Sequence, residues 1–282
     1  MKQHIPLILL VILLAAWVVF LDKAADFFVF GPVKHIYTYN KPFQEVTFPT
    51  ADDGQLTGLY APAQPGKPTF LVFHGKGQTS YTLQNYMLPY LRLGYGMLLF
   101  DYRGYGKSVG SPSEKHMYQD GLAAIDYLMQ EKLISPQDMV LWGVSLGAAP
   151  ALNAVVTHQD WPFKALVLQS PFTNTTDVAF FMLARRYQEH TAAASVLSVL
   201  LKPFLWDKNF DSSSLISHVK VPLLIGSSQQ DKVIPWTMTN ALAAKSPEHT
   251  QVFTSAIGEH DDPYWFEPQV LRFIKSLPAP RD

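Results

Sequence analysis

The chain contains no cysteine. That excludes disulfide bridges, a thiolate nucleophile, cysteine-ligated zinc and an acylated lipoprotein cysteine, and it leaves the compartment open. Charge is also scarce. Only 16% of residues are Asp, Glu, Lys or Arg, and the formal net charge is −1. A nucleic-acid surface needs a basic excess, so none is expected. No spacing of His, Asp or Glu resembles a metal-ligand set. Gly104-x-Gly106-x-x-x-Gly110 misses the spacing of a dinucleotide loop and reads instead as a turn that orders Arg103 near a site. Neither a metal nor a cofactor is expected. Internal repeats and low-complexity tracts are missing too.

Apolar residues, by contrast, make up 48% of the 282 positions. One stretch stands apart, Ile5 to Leu21, which carries no charge and ends at Asp22-Lys23. As a helix it would be roughly 25 Å long, just short of a bilayer core. A small-x-small cleavage site is poorly formed, because Lys23 stands two before Ala25 and Leu14 two before Ala16. A retained membrane anchor is therefore expected over a cleaved signal peptide. Lys2 on one side against Lys23 and Lys34 on the other gives little positive-inside bias. The expected arrangement keeps the short tail inside and exports the rest to the non-cytoplasmic side. Phe27 to Phe30 is expected to continue the helix along the membrane surface, closing an anchor segment over 1–30, and 31–42 reads as a linker.

From residue 43 to 282 the pattern is that of one α/β domain. Phe43 to Tyr60 alternates about Asp52-Asp53-Gly54 and predicts a β-hairpin. Short apolar runs at Pro68–Phe73, Gly96–Phe100, Met139–Trp142, Ala165–Leu168 and Val221–Gly226 predict buried strands, and Thr250–Thr254 the last one. Helices are predicted over Tyr81–Arg92, over Glu114–Lys132 with Ser113 as cap, over Ala148–Thr157, and over Pro263–Leu277 at the end. Such alternation implies a mostly parallel sheet flanked by helices, with right-handed crossovers. The segment 173–215 breaks the alternation. It is long, helical and apolar at Phe180-Phe181-Met182-Leu183 and Val196–Leu201, and reads as a cap above the strand ends that holds an acyl chain.

The chemistry concentrates at Gly143-Val144-Ser145-Leu146-Gly147, between a predicted strand and a predicted helix. A serine on so sharp a turn projects its hydroxyl above the sheet edge, and the two glycines remove side chains that would collide with it. Pro150 falls in the first turn of the following helix and is expected to disturb it. A serine hydroxyl needs a base within hydrogen-bond reach and an acid to orient that base. In a parallel sheet the site lies at the carboxyl ends of the strands. Downstream of Ser145, Asp231 follows the Val221–Gly226 strand and His260 follows the last strand. His74 precedes the serine, while His158, His190, His218 and His249 do not follow strands, and Asp261 and Asp262 read as caps of the closing helix. Backbone N–H groups of Leu146, at the helix start, and of Lys76, in His74-Gly75-Lys76-Gly77, fit a pair of oxyanion donors.

These residues carry a resemblance. His74-Gly75, Asp101-Tyr102-Arg103-Gly104-Tyr105-Gly106-Lys107-Ser108, Gly143-x-Ser145-x-Gly147, Ser170-Pro171-Phe172, Asp231-x-x-Val233-x-Pro235 and Gly258-x-His260 together resemble the α/β-hydrolase superfamily over residues 43 to 277. The similarity is strongest to its membrane-anchored serine hydrolases with an N-terminal signal anchor. The resemblance implies Ser145 as nucleophile, Asp231 as acid and His260 as base. Two positions depart from it: Lys76 stands where the family often has a small polar residue, and Gln169 where an acid often precedes Ser-Pro-Phe. The implied activity is hydrolysis of carboxylic esters or thioesters, with a small acyl ester or lipid-like substrate. Cleavage of amide bonds by the same machinery, or an inactive membrane-tethered binding module on the same fold, are the alternatives.

Overall fold

The computed structural model describes residues 5–34, 38–186, 191–260, 262 and 264–278, without the side chains of 5–12, 14, 191–195 and 198. Helix α1 (Ile5–Val29) precedes a hairpin of β1 (Gln44–Pro49) and β2 (Gln55–Ala61), which pair antiparallel from Gln44 opposite Tyr60 to Pro49 opposite Gln55. The hairpin turn places Asp53 at φ 62°, a left-handed conformation that Asp tolerates better than most residues. There follow β3 (Thr69–Phe73), α2 (Ser80–Arg92), β4 (Gly96–Asp101), α3 (Glu114–Gln130), β5 (Met139–Val144), α4 (Ala148–Thr157) and β6 (Ala165–Gln169). The segment between β6 and the next strand holds α5 (Thr175–Arg186), α6 (Thr191–Leu205) and the short α7 (Ser212–Leu215). β7 (Leu223–Ser228), α8 (Trp236–Ala243), β8 (Gln251–Ser255) and α9 (Glu267–Ser276) complete the described elements.

The strands form one eight-stranded sheet in the order β1-β2-β4-β3-β5-β6-β7-β8. β2 runs antiparallel to both neighbours, and every pairing from β4 to β8 is parallel. Every residue of β3 through β7 is buried. That is why these strands are continuous apolar runs in the sequence: helices cover both faces. On one face Ile125 and Leu128 of α3 and Leu152 of α4 pack on Leu71, Leu141 and Leu166. On the other, Leu83 and Met87 of α2 and Val270 and Phe273 of α9 pack on Phe70, Val140 and Val167. Thr79 caps α2 through a capping box with Thr82, and Ser113 caps α3 by accepting from the His116 N–H.

Three expectations change. Pro150 does not disturb α4, because it is the third helical residue and its missing N–H would have had no partner inside the helix. The closing helix begins at Glu267 rather than Pro263, and Asp262 instead accepts from the Tyr264 N–H in the turn before it; Asp261 lies outside the described residues. Helix α8 was not anticipated, since Trp236–Ala243 is short and has no side-chain cap.

Among the described residues no helix is long and apolar enough to cross a membrane; most side chains of the Ile5–Leu21 run lie outside that set. The far end of α1 packs on the domain. Phe27 is 71% exposed, but Val29 and Phe30 are 5% and 1% exposed and belong to the core shared with α3 and α4. Lys208, itself buried, pairs with Asp22 at 3.1 Å, Asp26 at 3.3 Å and Asp207 at 2.7 Å. Beyond α1, two residues are tied to the domain: Gly106 N–H donates to the Val33 carbonyl at 2.9 Å, and the Asn40 N–H to Gln84 Oε1 at 2.7 Å.

Candidate active site

Ser145 sits where β5 ends and a single turn leads into α4, at φ 51°. A non-glycine residue is held there only by its surroundings. Those surroundings explain the flanking glycines. A β-carbon on Gly143 would lie 2.5 Å from the Ala148 Cα, and one on Gly147 would lie 2.1 Å from the Phe73 carbonyl oxygen. Strand and helix therefore pack backbone to backbone, and the serine hydroxyl is the group left facing outward.

The two loops after β7 and β8 bring the partners. Asp231 Oδ1 accepts from the N–H groups of Val233 and Ile234, each at 2.8 Å, which fixes the carboxylate on its own turn. Its Oδ2 lies 2.7 Å from His260 Nδ1, and His260 Nε2 lies 3.0 Å from Ser145 Oγ. A carboxylate accepts only, so it sets the ring proton on Nδ1 and leaves Nε2 to accept from the serine. Burial works to raise the Asp231 pKa. The hydrogen bond and charge of His260 and the two backbone N–H groups outweigh it, and the carboxyl sits below its ordinary value. Ser228, at the end of β7, shares its one hydroxyl proton between the carbonyls of Ile257 and Gly258 and so joins the Asp231 loop to the His260 loop.

The loop after β3 closes the other side. Gln78 Oε1 accepts from the Gly75 N–H at 2.8 Å and shapes the turn that carries Lys76. A β-carbon on Gly75 would be 3.3 Å from the Ser145 Cβ, so this turn lies directly against the serine. Lys76 and Leu146 both line the cavity that contains Ser145 and His260. His74 does not join them. Its ring is buried between Tyr102 and Tyr105, with Nδ1 at 2.8 Å from the Gly75 carbonyl, and burial pushes its pKa down to about 4. His158 stacks on Trp161, His249 contacts the Val221 carbonyl, and His190 lies outside the described residues.

The cavity measures about 210 Å³ and is walled mainly by apolar groups: Phe172, Val178, Met182, Val233 and Ile234, with Phe28 and Val29 from α1. This corrects the expected acyl wall. Among the described side chains, Phe180, Phe181 and those of the Val196–Leu201 run do not line it, and Phe180, Val196, Val199 and Leu200 are exposed. Arg103 is corrected as well. Its guanidinium is pinned to Asp120 at 2.6 Å and to Asp52 at 2.7 Å, where it holds α3 and the hairpin turn together and contributes nothing to the cavity. Phe28, Val29 and Gln78 were missed. The wall from α1 had no local signal, since Phe28 and Lys76 are 48 positions apart. Among the described residues no cluster of His, Asp or Glu would hold a metal ion.

Residues 64–217 match the Hydrolase_4 family, described as serine aminopeptidase, S33. The chain belongs to this α/β-hydrolase family. It is a hydrolase by that membership, and the match spans Ser145 but ends before Asp231 and His260. As a Hydrolase_4 member it is 30% identical over 244 residues to an uncharacterised protein of Mycobacterium tuberculosis, covering 86% of this chain and 80% of the relative. It is 33% identical over 196 residues to lysophosphatidylserine lipase ABHD12 of Danio rerio, covering 64% of this chain and 47% of that longer protein. The fold is that of the Pyrococcus furiosus esterase Pf2001, with TM-score 0.68 at 18% identity over 87% of this chain and 96% of the esterase.

Proposed function

We propose that the chain hydrolyses carboxylic esters or thioesters through an acyl-enzyme on Ser145. One observation carries the reading: His260 stands 3.0 Å from the Ser145 hydroxyl and 2.7 Å from Asp231, at the floor of an apolar cavity. In the first step Ser145 Oγ attacks the acyl carbonyl while His260 Nε2 takes its proton. The Lys76 and Leu146 N–H groups receive the oxyanion. The proton then passes to the departing alkoxide or thiolate, and a water molecule repeats the sequence to release the acid. Asp231 keeps the imidazole in the tautomer that accepts from serine and offsets the charge it gains.

Amide cleavage is the second reading, favoured by the description of the family as an aminopeptidase. The lining argues against it. A free amino terminus would need a carboxylate near Ser145, and among the described residues that line the cavity there is none, whereas Lys76 adds a cation. An acyl chain fits that lining better, and the lipase among the relatives points to a lipid-like ester.

The same reading places the chain on a membrane, with Ile5–Leu21 as a retained anchor and the domain on the non-cytoplasmic side. Trp17, Val18, Val19, Phe20 and Phe27 of α1 are exposed, as are Val196, Val199 and Leu200 of α6, which packs beside α1. The deciding experiment is labelling with a fluorophosphonate probe, run beside p-nitrophenyl ester and aminoacyl-anilide assays. Wild-type protein should label and cleave the esters, and Ser145→Ala should do neither. Labelling that survives in Ser145→Ala ends this reading, and anilide turnover above ester turnover transfers it to the amide alternative.

A further inference from the structure

The last turn of α1 meets the site twice. Phe28 and Val29 line the cavity with Ser145, and the Phe28 carbonyl, one of the acceptors left unpaired at a helix C-terminus, receives a hydrogen bond from Lys76 Nζ. The same ammonium lies 5.9 Å from the Phe27 ring centroid and 5.3 Å from that of Phe28, within cation–π range. Gly31 leaves room for it. That residue ends the helix at φ 47°, and a β-carbon on it would come within 2.5 Å of Lys76 Cε. The lysine remains partly open to solvent, and the partial burial of its ammonium lowers its pKa. Tyr105, through its hydroxyl on the Phe30 carbonyl, and Lys208, through Asp22 and Asp26, hold the helix in the same position.

We propose that the end of α1 is a fixed wall of the acyl site, that Phe28 sets the acyl chain length the site accepts, and that Lys76 is a positioning residue clamping this wall to the turn that carries its own oxyanion N–H. The proposal rests on the ester-hydrolase reading and goes beyond it by naming what selects the substrate. It also gives a role to the lysine that stands where the α/β-hydrolase resemblance favours a small polar residue. Such a residue could shape the turn, but it could not reach across to a helix carbonyl.

The test uses full-length protein in detergent. It measures kcat and KM for p-nitrophenyl butyrate, octanoate and laurate, together with fluorophosphonate labelling and thermal unfolding. Phe28→Ala should raise the laurate-to-butyrate ratio of kcat/KM by about fourfold or more, the value of one buried methylene, and Phe28→Trp should lower it comparably. Lys76→Met keeps the aliphatic stem without the donor, and kcat should fall about tenfold with little change in KM, because the oxyanion turn loses its brace. Lys76→Arg should restore most of kcat. Chain-length ratios unchanged in both Phe28 variants overturn the wall, and a wild-type kcat in Lys76→Met overturns the clamp. A lowered melting temperature in Lys76→Met, with equal losses on all esters and no rescue by arginine, marks a structural lysine and also overturns it. A wild-type protein that neither labels nor hydrolyses any ester sinks the hydrolase reading itself, an outcome distinct from unchanged ratios in an active enzyme.

Discussion

Ser228 Oγ donates to the Ile257 carbonyl at 3.0 Å, from a side chain with no solvent exposure. The contact spans 29 positions and makes one unit of the two loops that present Asp231 and His260. Ser228→Ala removes the one hydroxyl proton that the Ile257 and Gly258 carbonyls share, at a cost of about 1–3 kcal/mol. Both kcat and the labelling rate should drop, because His260 loses the brace on its loop while Ser145 is untouched. Unfolding curves and labelling kinetics on the same variant check this. A destabilised variant that labels at the wild-type rate would show that the brace does not reach His260.

Asp231→Asn should leave the fold intact and lower kcat by orders of magnitude, since the amide no longer dictates which ring nitrogen of His260 is protonated. His260→Ala should match it, whereas His158→Ala and His249→Ala should cost less than twofold, about 0.4 kcal/mol in the barrier. Asp231 is held below the ordinary carboxylate value, so loss of activity at pH values above that range does not report Asp231. Steady-state kinetics on the four variants decide the matter.

Deletions through α1 should divide sharply. Removing residues 2–20 takes away most of the apolar run but keeps the packed end of the helix, and should release an active protein from the membrane fraction. Removing residues 2–30 also strips Val29 and Phe30 from the core, worth roughly 1.5–3 kcal/mol each, along with the Phe28 wall. That product should be destabilised and poorly active. Fractionation, urea unfolding and ester turnover of the two proteins provide the comparison; equal stability would mean the α1 end is not part of the folded unit.

Asp101 predicts a pH effect on stability. Its carboxyl is buried at the end of β4 and accepts from the Ser80 N–H at 2.6 Å and the Ser80 hydroxyl at 2.9 Å. Burial, the largest influence, raises its pKa to about 6. The folded state then holds this proton more tightly than the unfolded chain, where a carboxyl titrates near 3.9. Its contribution is therefore most favourable below about pH 4 and is lost as pH rises through about 6. Asp101→Asn has nearly the same shape and no titration, so the variant should gain on the wild type between pH 4.5 and 7. A stability gap constant over that range, measured by urea midpoints, would refute it.

Most of the fold was legible because buried parallel strands have a plain signature: Leu223–Ile225 and Ala165–Leu168 are short apolar runs bounded by loops. The Ser145, Asp231 and His260 positions were legible for a related reason, since each follows a strand end and the parallel sheet gathers those ends on one edge. What escaped was long-range packing. Nothing near Phe28 announces that it faces Ser145, and nothing near Arg103 announces that Asp52 and Asp120 neutralise it. Helices α5 to α7 do lie between β6 and β7, yet Val196, Val199 and Leu200, in their most apolar stretch, are exposed and do not line the cavity. Hydropathy marks a surface that leaves water without saying whether a core, a substrate or a lipid receives it.

The docking of α1 also sets an order of events during synthesis. Asp22 and Lys208 are 186 positions apart, and Phe30 packs edge-on against Phe210. At about 5–20 residues per second, the ribosome delivers the later partners roughly 10 to 40 s after the helix emerges. For that interval Val29 and Phe30 have no cap to bury them. A nascent chain whose first helix is already held in a bilayer keeps that end away from other nascent chains until the cap arrives. The first part of the pocket to be made thus waits for partners made much later in the chain.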